Sequence, residues 1–498
     1  MTKTKVFSFH GQNGRHTEVP PDRFKDKSGG DKSTRDKKKP KGSEGEQCNI
    51  VLASFMSWWL SGMFSMVSLS MIFNVGLSVA SALNAASKPI AGRVRHCLDS
   101  WRTITDSAWV RGVIEKGYKL QFSGALPPTP HRVKNLPTDA AATEVLDNEV
   151  EQMLAKQAIH IVKSSDDELV SCFFARPKKQ PGKWRPIVSL KFLNQHLKYL
   201  KFKMTTITDV KRWVKEGHYF VSLDLTDAYF SVPISPTAWK YVRFLWKKVT
   251  YEFKVLMFGL GASPRVFTKV LKSVVKFLRL SFDIMILAYL DDFIIQAKDY
   301  ETCMLHLELT ILVFQCLGFE VNYAKSCLTP TKCIEHLGFI WNSTDMTIAL
   351  PSLKVEKIIT LATAFLEQGG FTADELRSFL GRLESVRPVV EQAALNYRSF
   401  QYALRPLRKG RWRGRKFIPL TRDTRRDLIW WCTVFPNPVH IIAPLNRGVC
   451  TVEFMADASG THGWGVTAAG KNFARDCGQA EITCHTSTGK RFWQATSP

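Results

Sequence analysis

The stretch "ILAYLDDFIIQ", Ile286 to Gln296, places two adjacent aspartates inside an apolar run rich in β-branched residues. Burial of one unpaired carboxylate is costly, and burial of two neighbouring ones costs more. Apolar β-formers on both sides predict a strand, a tight turn and a second strand, with Asp291 and Asp292 at the tip. At a tip the acids need not be buried, yet two carboxylates about 4 Å apart still repel by roughly 1 kcal/mol in water. A divalent cation reverses the sign of that interaction.

A third carboxylate stands at the end of another predicted strand, in "HYFVSLDLTDAYFSVPI", His218 to Ile234. Apolar and polar residues alternate up to Asp224, after which the chain turns away. Asp224, Asp291 and Asp292 offer only oxygen ligands, which suit two Mg²⁺ ions, with Mn²⁺ as a substitute. Two such ions roughly 3.5–4 Å apart promote attack by a 3′-hydroxyl and neutralise a leaving pyrophosphate. A turn or an N-cap explains most single aspartates, but it does not explain this set in this order.

The overall composition points to a polyanionic partner. Among 498 residues, 69 Lys and Arg against 44 Asp and Glu give a formal charge of +25, which favours nucleic acid or an anionic membrane surface. The run "RPLRKGRWRGRK", Arg405 to Lys416, can grip the phosphates of a duplex. No CxxC pair is present, and Cys327, Cys333 and His336 fit no common zinc spacing. We therefore expect buried free thiols and an intracellular location, in the nucleus or the cytoplasm.

The first ninety residues divide into two unlike segments. Residues 1–46 are polar and basic, and they predict a disordered tail whose "RDKKKPK" is either a nuclear localisation signal or solvated charge. Residues 47–87 contain no charged residue and are long enough to span a bilayer, which needs about 20 apolar residues. They are interpreted as a membrane anchor, a buried helical hairpin or a segment whose sequence is under weak evolutionary selection.

The next segments show helical periodicity. Residues 92–135 predict amphipathic helices that end in a linker, because "LPPTP" breaks the pattern. A second helical pattern begins at about residue 138, with Thr138 and Asp139 as candidate caps. Strands, turns and helices then alternate to residue 343, and helices predominate over residues 344–447.

Six motifs in fixed order resemble those of reverse transcriptases. "SLDLTDAYF", "LMFGLGASPRVF" (256–267) and "YLDD" resemble the palm motifs of that family. "ARPKKQPGKWRPIVSLKFLNQHL" (175–197) is similar to its fingers segment, "LGFEVNYAKS" (317–326) to a further palm motif, and "HLGFIWNS" (336–343) to its primer-grip hairpin. The resemblance implies an α+β right-hand polymerase, with fingers and palm at 138–343 and a helical thumb and connection at 344–447.

A closer resemblance is to DIRS-type retrotransposons, which mobilise with a tyrosine recombinase. It lies in "AGRVRHCLDSWRTITDSAWVRGVIEKGYKLQF" and in the block "YVRFLW…YEFKVLMFGLGASPRVFTKVL", and it extends over about Gly92 to Thr467. The family's activity is RNA-directed DNA polymerisation. The implied partners are an RNA template, a DNA primer, RNA–DNA hybrid and dNTPs.

The resemblance implies a role for each acid of the cluster. Asp224 and Asp291 are expected to be the main Mg²⁺ ligands, with Asp292 beside them. Lys325 could donate a proton to the pyrophosphate, and its alternative reading is a surface lysine.

The same resemblance implies a nucleotide site. Tyr229 stands where the family has an aromatic steric gate against the ribose 2′-hydroxyl, and Asp227 and Ala228 would offer backbone N–H groups to the triphosphate. Phe258 replaces the glutamine common in retroviral enzymes, and Gly259, like Gly261, lets the backbone approach a ligand. Phosphate-binding cations are expected in the fingers, at Lys178 and Arg185.

The C-terminal residues 448–498 resemble the opening of a ribonuclease H domain, as a partial α/β segment with Asp457 as its first metal-binding carboxylate. After Asp457 only Asp476 and Glu481 are acidic. We therefore expect this nuclease to be incomplete and inactive. The alternative for the whole chain is a catalytically inactive, nucleic-acid-binding relic of a retroelement, with or without membrane association.

Overall fold

The computed structural model describes residues 66–133, 139–177, 184–405, 416–435, 441–445, 454–459, 463–468 and 471–475. The predicted basic tail, the first part of the uncharged segment and most of the arginine-rich run lie outside these ranges, as do Thr138, Lys178, Asp476 and Glu481.

Helices occur throughout the described part of the chain. In chain order they are α1 Met66–Asn74, α2 Val79–Ala86, α3 Leu98–Ile104, α4 Ala108–Lys116, α5 Ala140–Ala155, α6 Lys191–His196, α7 Ile207–Trp213, α8 Ser263–Phe282, α9 Tyr300–Cys316, α10 Ser352–Gln368, α11 Ala373–Val386, α12 Arg398–Ala403 and α13 Arg422–Val434. Short 3₁₀ turns cover Arg93–Cys97, Ala228–Ser231 and Pro236–Tyr241.

The strands are mostly short, and the last four follow the last of these helices. They are β1 His131–Arg132, β2 Ile159–Val162, β3 Leu169–Pro177, β4 Trp184–Ser189, β5 Tyr219–Asp224, β6 Arg243–Trp246, β7 Val249–Phe253, β8 Met285–Tyr289, β9 Asp292–Ala297, β10 Cys327–Thr331, β11 Cys333–His336, β12 Phe339–Asn342, β13 Thr347–Ala349, β14 Gly370–Thr372, β15 Phe417–Pro419, β16 Ile442–Pro444, β17 Phe454–Ser459, β18 Gly463–Ala468 and β19 Lys471–Arg475.

A four-stranded antiparallel sheet in the order β10-β5-β9-β8 carries the acidic motifs. Its inward-facing side chains include Val221 and Phe293, both inaccessible to solvent. Helices α8 and α9 cover the sheet, since α8 buries an apolar stripe from Val266 to Leu278 at helical spacing. This rigid support fixes where β5 and β9 end.

A second sheet, in the order β1-β3-β6-β7-β2 with β4 paired to β3, forms the fingers-like part. Its interior contains charge: Glu168 is fully buried, and it is held by Arg132 and by Arg243, each 2.8 Å away. Glu252 is also buried and accepts from Arg243 Nε at 2.6 Å. A buried carboxylate is tolerated only when it is paired in this way.

The described part of the uncharged segment forms α1 and α2, which pack on α9 in the main core. Ile72, Leu77 and Ala85 are almost fully buried there. None of the described helices is by itself long and apolar enough to cross a membrane, but Val67–Asn74 and Val79–Ala86, bent by 98° to each other, meet that criterion as a pair. The packing of residues 66–86 agrees with the buried-hairpin interpretation.

Residues 88–122 pack against the core that supports the acidic motifs. Trp101 is inaccessible to solvent, and its Nε1 donates to the Leu317 carbonyl at 3.1 Å. The Gly92 N–H donates to the Phe230 carbonyl at 2.8 Å, and the Tyr118 N–H donates to the Pro233 carbonyl at 2.8 Å. The predicted amphipathic helices therefore form part of the same core as the palm-like sheet.

The part that follows has its own apolar core, built by α7, α10 to α13 and the β11-β12-β13-β16 sheet. Thr372 and Glu375 form a capping box at the start of α11, which sets the turn from β14 into that helix. Near the C-terminus, β17, β18 and β19 form an antiparallel meander in which Asp457 pairs with Gly465. Asp457 thus lies within the first of these strands.

Candidate active site

The structure brings the three predicted aspartates together at one end of the two central strands of the palm-like sheet. Asp224 ends β5 and Asp292 begins β9, and the antiparallel register sets them directly opposite each other. Asp291 lies in the turn between β8 and β9, where its carbonyl accepts a hydrogen bond from the Leu225 N–H at 3.2 Å. The predicted strand, turn and strand around this motif is confirmed.

The turn between β8 and β9 contains only Leu290 and Asp291, because Tyr289 already pairs with Asp292. Leu290 adopts φ 56°, a left-handed conformation that is uncommon for a non-glycine residue. Two-residue hairpin turns require such a conformation, and in non-glycine residues it costs on the order of 1 kcal/mol or more. The turn thus sets Asp291 immediately before the first residue of β9.

The electrostatics of the cluster disfavour negative charge. Burial raises the pKa of Asp224, the nearby Lys325 opposes that rise, and Asp291 and Asp292 add to it. Burial likewise raises the pKa of Asp291, with a further contribution from Asp292. Lys325 Nζ lies 3.7 Å from Asp224 Oδ1 but is 70% exposed, so it compensates the cluster only weakly. The acids therefore favour the arrival of additional positive charge.

The donor set fits hard divalent cations bound together with a substrate. Within the described ranges, no group of three Asp, Glu, His or Cys side chains is arranged to hold a metal ion unaided. Mg²⁺ is commonly held by one or two carboxylates, with substrate phosphates and waters completing its shell. Asp224 and Asp291, whose pKa values are raised by burial and by neighbouring carboxylates, are suited to that partial coordination.

A cleft of about 430 Å³ opens beside the acids. Asp224, Asp292 and Lys325 line one part of it, and the end of the β11–β12 hairpin, from Glu335 to Gly338, lines another. There the Nδ1 atom of His336 lies 3.2 Å from Asp292 Oδ1. In the sequence, His336 belongs to the rejected zinc pattern and opens the hairpin motif 336–343. Its contact with Asp292 could not be predicted there, because it depends on tertiary packing.

The predicted nucleotide-binding turn follows β5 directly. Asp227 has φ 46° and starts the 3₁₀ turn Ala228–Ser231. Its carboxylate pairs with Lys156 Nζ at 2.9 Å, and Lys156 follows the last residue of α5. The sequence did not predict this ion pair, because Lys156 and Asp227 lie far apart in the chain.

Tyr229 is 7% exposed, and its ring lies 4.9 Å from Phe258 and 5.3 Å from Phe267, centroid to centroid. Burial, followed by the Asp291 charge, raises the pKa of its hydroxyl to about 12, so the phenol stays neutral. Its ring is packed like a core residue, yet it lies close enough to Asp291 to feel that charge. Phe258 is 67% exposed beside it, which leaves an aromatic face open to solvent.

The glycine loop after Phe258 is held by an amide that sequence reasoning missed. Asn194 Nδ2 donates to the Gly259 carbonyl at 2.8 Å, and the Gly261 N–H donates to Asn194 Oδ1 at 2.8 Å. Gly259 has φ 91°, a region that favours glycine. Asn194 lies within the quoted fingers segment, but the sequence did not predict that its side chain holds this loop.

Three further predicted residues have no described contact with the cluster. Arg185 is exposed on β4, in register opposite Arg176. Lys178 lies outside the described residues, and for Asp457 only the backbone is described.

Comparisons with known proteins agree with this geometry. Residues 176–341 match the family model described as "Reverse transcriptase (RNA-dependent DNA polymerase)". The chain is 25% identical over 325 residues to the Pro-Pol polyprotein of Simian foamy virus type 1, which covers 65% of this chain and 25% of that protein. It is 26% identical over 238 residues to a retrovirus-related Pol polyprotein from transposon opus of Drosophila melanogaster, covering 47% of this chain and 22% of that protein. The chain thus spans about a quarter of the length of these relatives.

A solved structure supports the fold. The foamy viral protease-reverse transcriptase in complex with RNA/DNA hybrid superposes with a TM-score of 0.54 at 16% identity, covering 72% of this chain and 45% of that one. The predicted right-hand polymerase fold is confirmed by this likeness. The chain therefore carries, in residues 176–341, a reverse transcriptase domain of the type found in retroviral and retroelement Pol polyproteins.

Proposed function

We propose that this chain is an RNA-directed DNA polymerase that extends a primer 3′-hydroxyl with dNTPs. One observation carries the proposal: Asp224 and Asp292 face each other across β5 and β9, with Asp291 in the turn between β8 and β9, at the edge of an open cleft. Bound at these carboxylates, two Mg²⁺ ions would stabilise the attacking 3′-oxygen and the leaving pyrophosphate.

The residues of the chain perform the other tasks. Asp227 and Ala228 present backbone N–H groups to the triphosphate from a turn that Lys156 holds in place. The Tyr229 ring occupies the space that a ribose 2′-hydroxyl would need, and the exposed face of Phe258 borders the same space. Lys325, exposed beside Asp224, would give a proton to the pyrophosphate. Lys178 and Arg185 would bind phosphates of the nucleotide.

The finer proposals concern the element and its other parts. We assign the chain to a retroelement of DIRS type, with an RNA template, a DNA primer and RNA–DNA hybrid as partners, and with an intracellular location. The segment around Asp457 is proposed to lack, by itself, the carboxylates of a working ribonuclease H. The resemblance of residues 92–467 to DIRS-type elements supports the first proposal, and the scarcity of acids in residues 458–498 supports the second.

The test is primer extension on a homopolymer RNA template with Mg²⁺, together with filter binding of the same template–primer. We expect extension by the wild-type protein, and loss of extension with retained binding in Asp224→Asn. The exposed Asp166→Asn substitution is the matched control and should extend normally. Binding without extension by the wild type would instead favour the relic interpretation.

The nuclease proposal has its own assay, cleavage of the RNA strand in an RNA–DNA hybrid with Mg²⁺ or Mn²⁺. We expect no cleavage. Cleavage that disappears in Asp457→Asn would show that other carboxylates complete the site.

A further inference from the structure

We propose that His336 is a positioning residue: its imidazole fixes the carboxylate of Asp292 and links that acid to the β11–β12 hairpin. The inference rests on the proposed function, since it concerns how the same acidic cluster is held ready for cations. It adds to the cluster a residue from outside the two motifs that supply the three acids.

The imidazole is held firmly by its surroundings. His336 is the last residue of β11 and pairs with Phe339 across a two-residue turn in which Leu337 has φ 52° and Gly338 has φ 71°. Positive φ values at both central residues are typical of the tightest hairpin turns, which have little freedom to shift. The His336 carbonyl also accepts a hydrogen bond from Trp341 Nε1 at 3.0 Å, and Trp341 is inaccessible to solvent. The side chain of His336 is only 2% exposed.

The contact joins the ring to one oxygen of the acid. Nδ1 lies 3.2 Å from Asp292 Oδ1, which is a close ion-pair contact. We infer that it serves as a hydrogen bond when Nδ1 carries the hydrogen, because an ionised carboxylate can only accept. The Asp292 side chain remains 39% exposed, which leaves part of the carboxylate open towards the cleft. One face of the acid is thus fixed while another stays available for a cation.

The other two acids are held in different ways. The cation beside Asp224 is Lys325, 3.7 Å away and 70% exposed, whose long side chain can move. Asp291 lies in the strained turn, where its carbonyl accepts a hydrogen bond from the Leu225 N–H. A buried ring on a rigid hairpin is the better support for a ligand, because groups that hydrogen-bond a coordinating carboxylate set its orientation. Loss of such a support commonly costs 10- to 100-fold in metal affinity or activity.

The experiment compares two substitutions that separate the donor from the volume of the ring. His336→Phe keeps an aromatic ring but removes the donor, whereas His336→Asn keeps an N–H near the position of Nδ1. Binding of Mn²⁺ to the full chain is measured from the signal of free Mn²⁺ by electron paramagnetic resonance, and primer extension is measured in parallel. Melting curves confirm that each variant is folded.

For His336→Phe we expect Mn²⁺ affinity to fall about 10- to 100-fold, with a matching fall in kcat at limiting Mg²⁺. His336→Asn should recover most of both. Equal losses in the two folded variants, or wild-type Mn²⁺ affinity in His336→Phe, would overturn the proposal, because the ring would then serve only packing.

A double-mutant cycle with Asp292→Asn sharpens the result. If His336 acts through Asp292, adding His336→Phe to Asp292→Asn should lower Mn²⁺ affinity little further, and additive losses would contradict the proposal. The Mn²⁺ measurements judge His336 even if the wild-type chain fails to extend a primer. That failure would count against the proposed polymerase alone.

Discussion

Two clusters of buried or half-buried carboxylates in this molecule differ in how far the protein's own cations compensate their charge. In the fingers-like sheet, Glu168 is completely buried, yet its pKa is lowered: burial would raise it, but hydrogen bonds from Ser164 and Arg243 and the charge of Arg132 prevail. In the palm-like sheet, Asp224 is less buried, yet its pKa is raised. The first cluster is compensated by the protein itself. The second is left short of positive charge, which is the state expected of a site that a cation completes.

The largest effect should come from removing a carboxylate of the uncompensated cluster. Asp291→Asn is expected to abolish primer extension, because loss of a metal ligand removes several kcal/mol of transition-state stabilisation, or about a thousandfold in rate. The melting temperature without metal should not fall, since the acid is repelled by its neighbour. Extension rates and melting curves of the same preparation provide the measurement. Near-normal extension would remove Asp291 from the site.

The compensated cluster should respond in the opposite sense. Arg243→Met removes the guanidinium that Glu168 and Glu252 share and leaves Glu168 with Arg132. Removing one partner of a buried ion pair commonly costs about 3–5 kcal/mol of unfolding free energy. Arg377→Met is the control, because its ion pair with Asp374 is exposed and worth about 0–1 kcal/mol. Urea unfolding measures both. Equal stability of the two variants would mean that burial does not distinguish these ion pairs.

Much of this contrast could not be predicted from sequence. The three aspartates could, because each sits at the end of a short apolar β-pattern and their order resembles a known family. The contacts of Asn194 with the glycine loop and of His336 with Asp292 could not, since they join residues whose proximity is set only by packing. The uncharged segment shows a further limit: apolar composition alone does not separate a membrane helix from α1 and α2 packed on α9.

Tyr229 tests where the boundary between packing and function lies, because its ring contacts both Phe267 of the core and the exposed Phe258. Tyr229→Ala should admit rNTPs and change the dNTP-to-rNTP efficiency ratio by about 10- to 100-fold, the scale of one steric group in a binding pocket. Tyr229→Phe keeps the ring and should keep the ratio. An unchanged ratio in Tyr229→Ala would leave the ring with a packing role only.

The two clusters should also differ in their response to acid. Because the folded pKa of Glu168 is lowered, its stabilising contribution is fully present above the ordinary glutamate value of 4.5 and is lost as the pH falls through the folded value. Glu168→Gln should therefore be less stable than the wild type at neutral pH, and this difference should shrink below pH 4.5. Unfolding free energies across this range measure the effect. A difference that stays constant with pH would show that Glu168 contributes packing alone.

The smallest expected effect concerns Asp224, and its sign depends on the metal. The folded pKa of Asp224 is raised, so ionisation destabilises the metal-free fold as the pH rises through that value. Asp224→Asn should then be slightly more stable than the wild type at pH 7 with a chelator present. Added Mg²⁺ should stabilise the wild type in proportion to RT ln(1 + [Mg²⁺]/Kd), but should stabilise the variant much less, so the order of the two melting temperatures should reverse. If the order were the same with and without Mg²⁺, the raised pKa would reflect burial of Asp224 without any readiness for cations, and the contrast between the two clusters would lose its functional meaning.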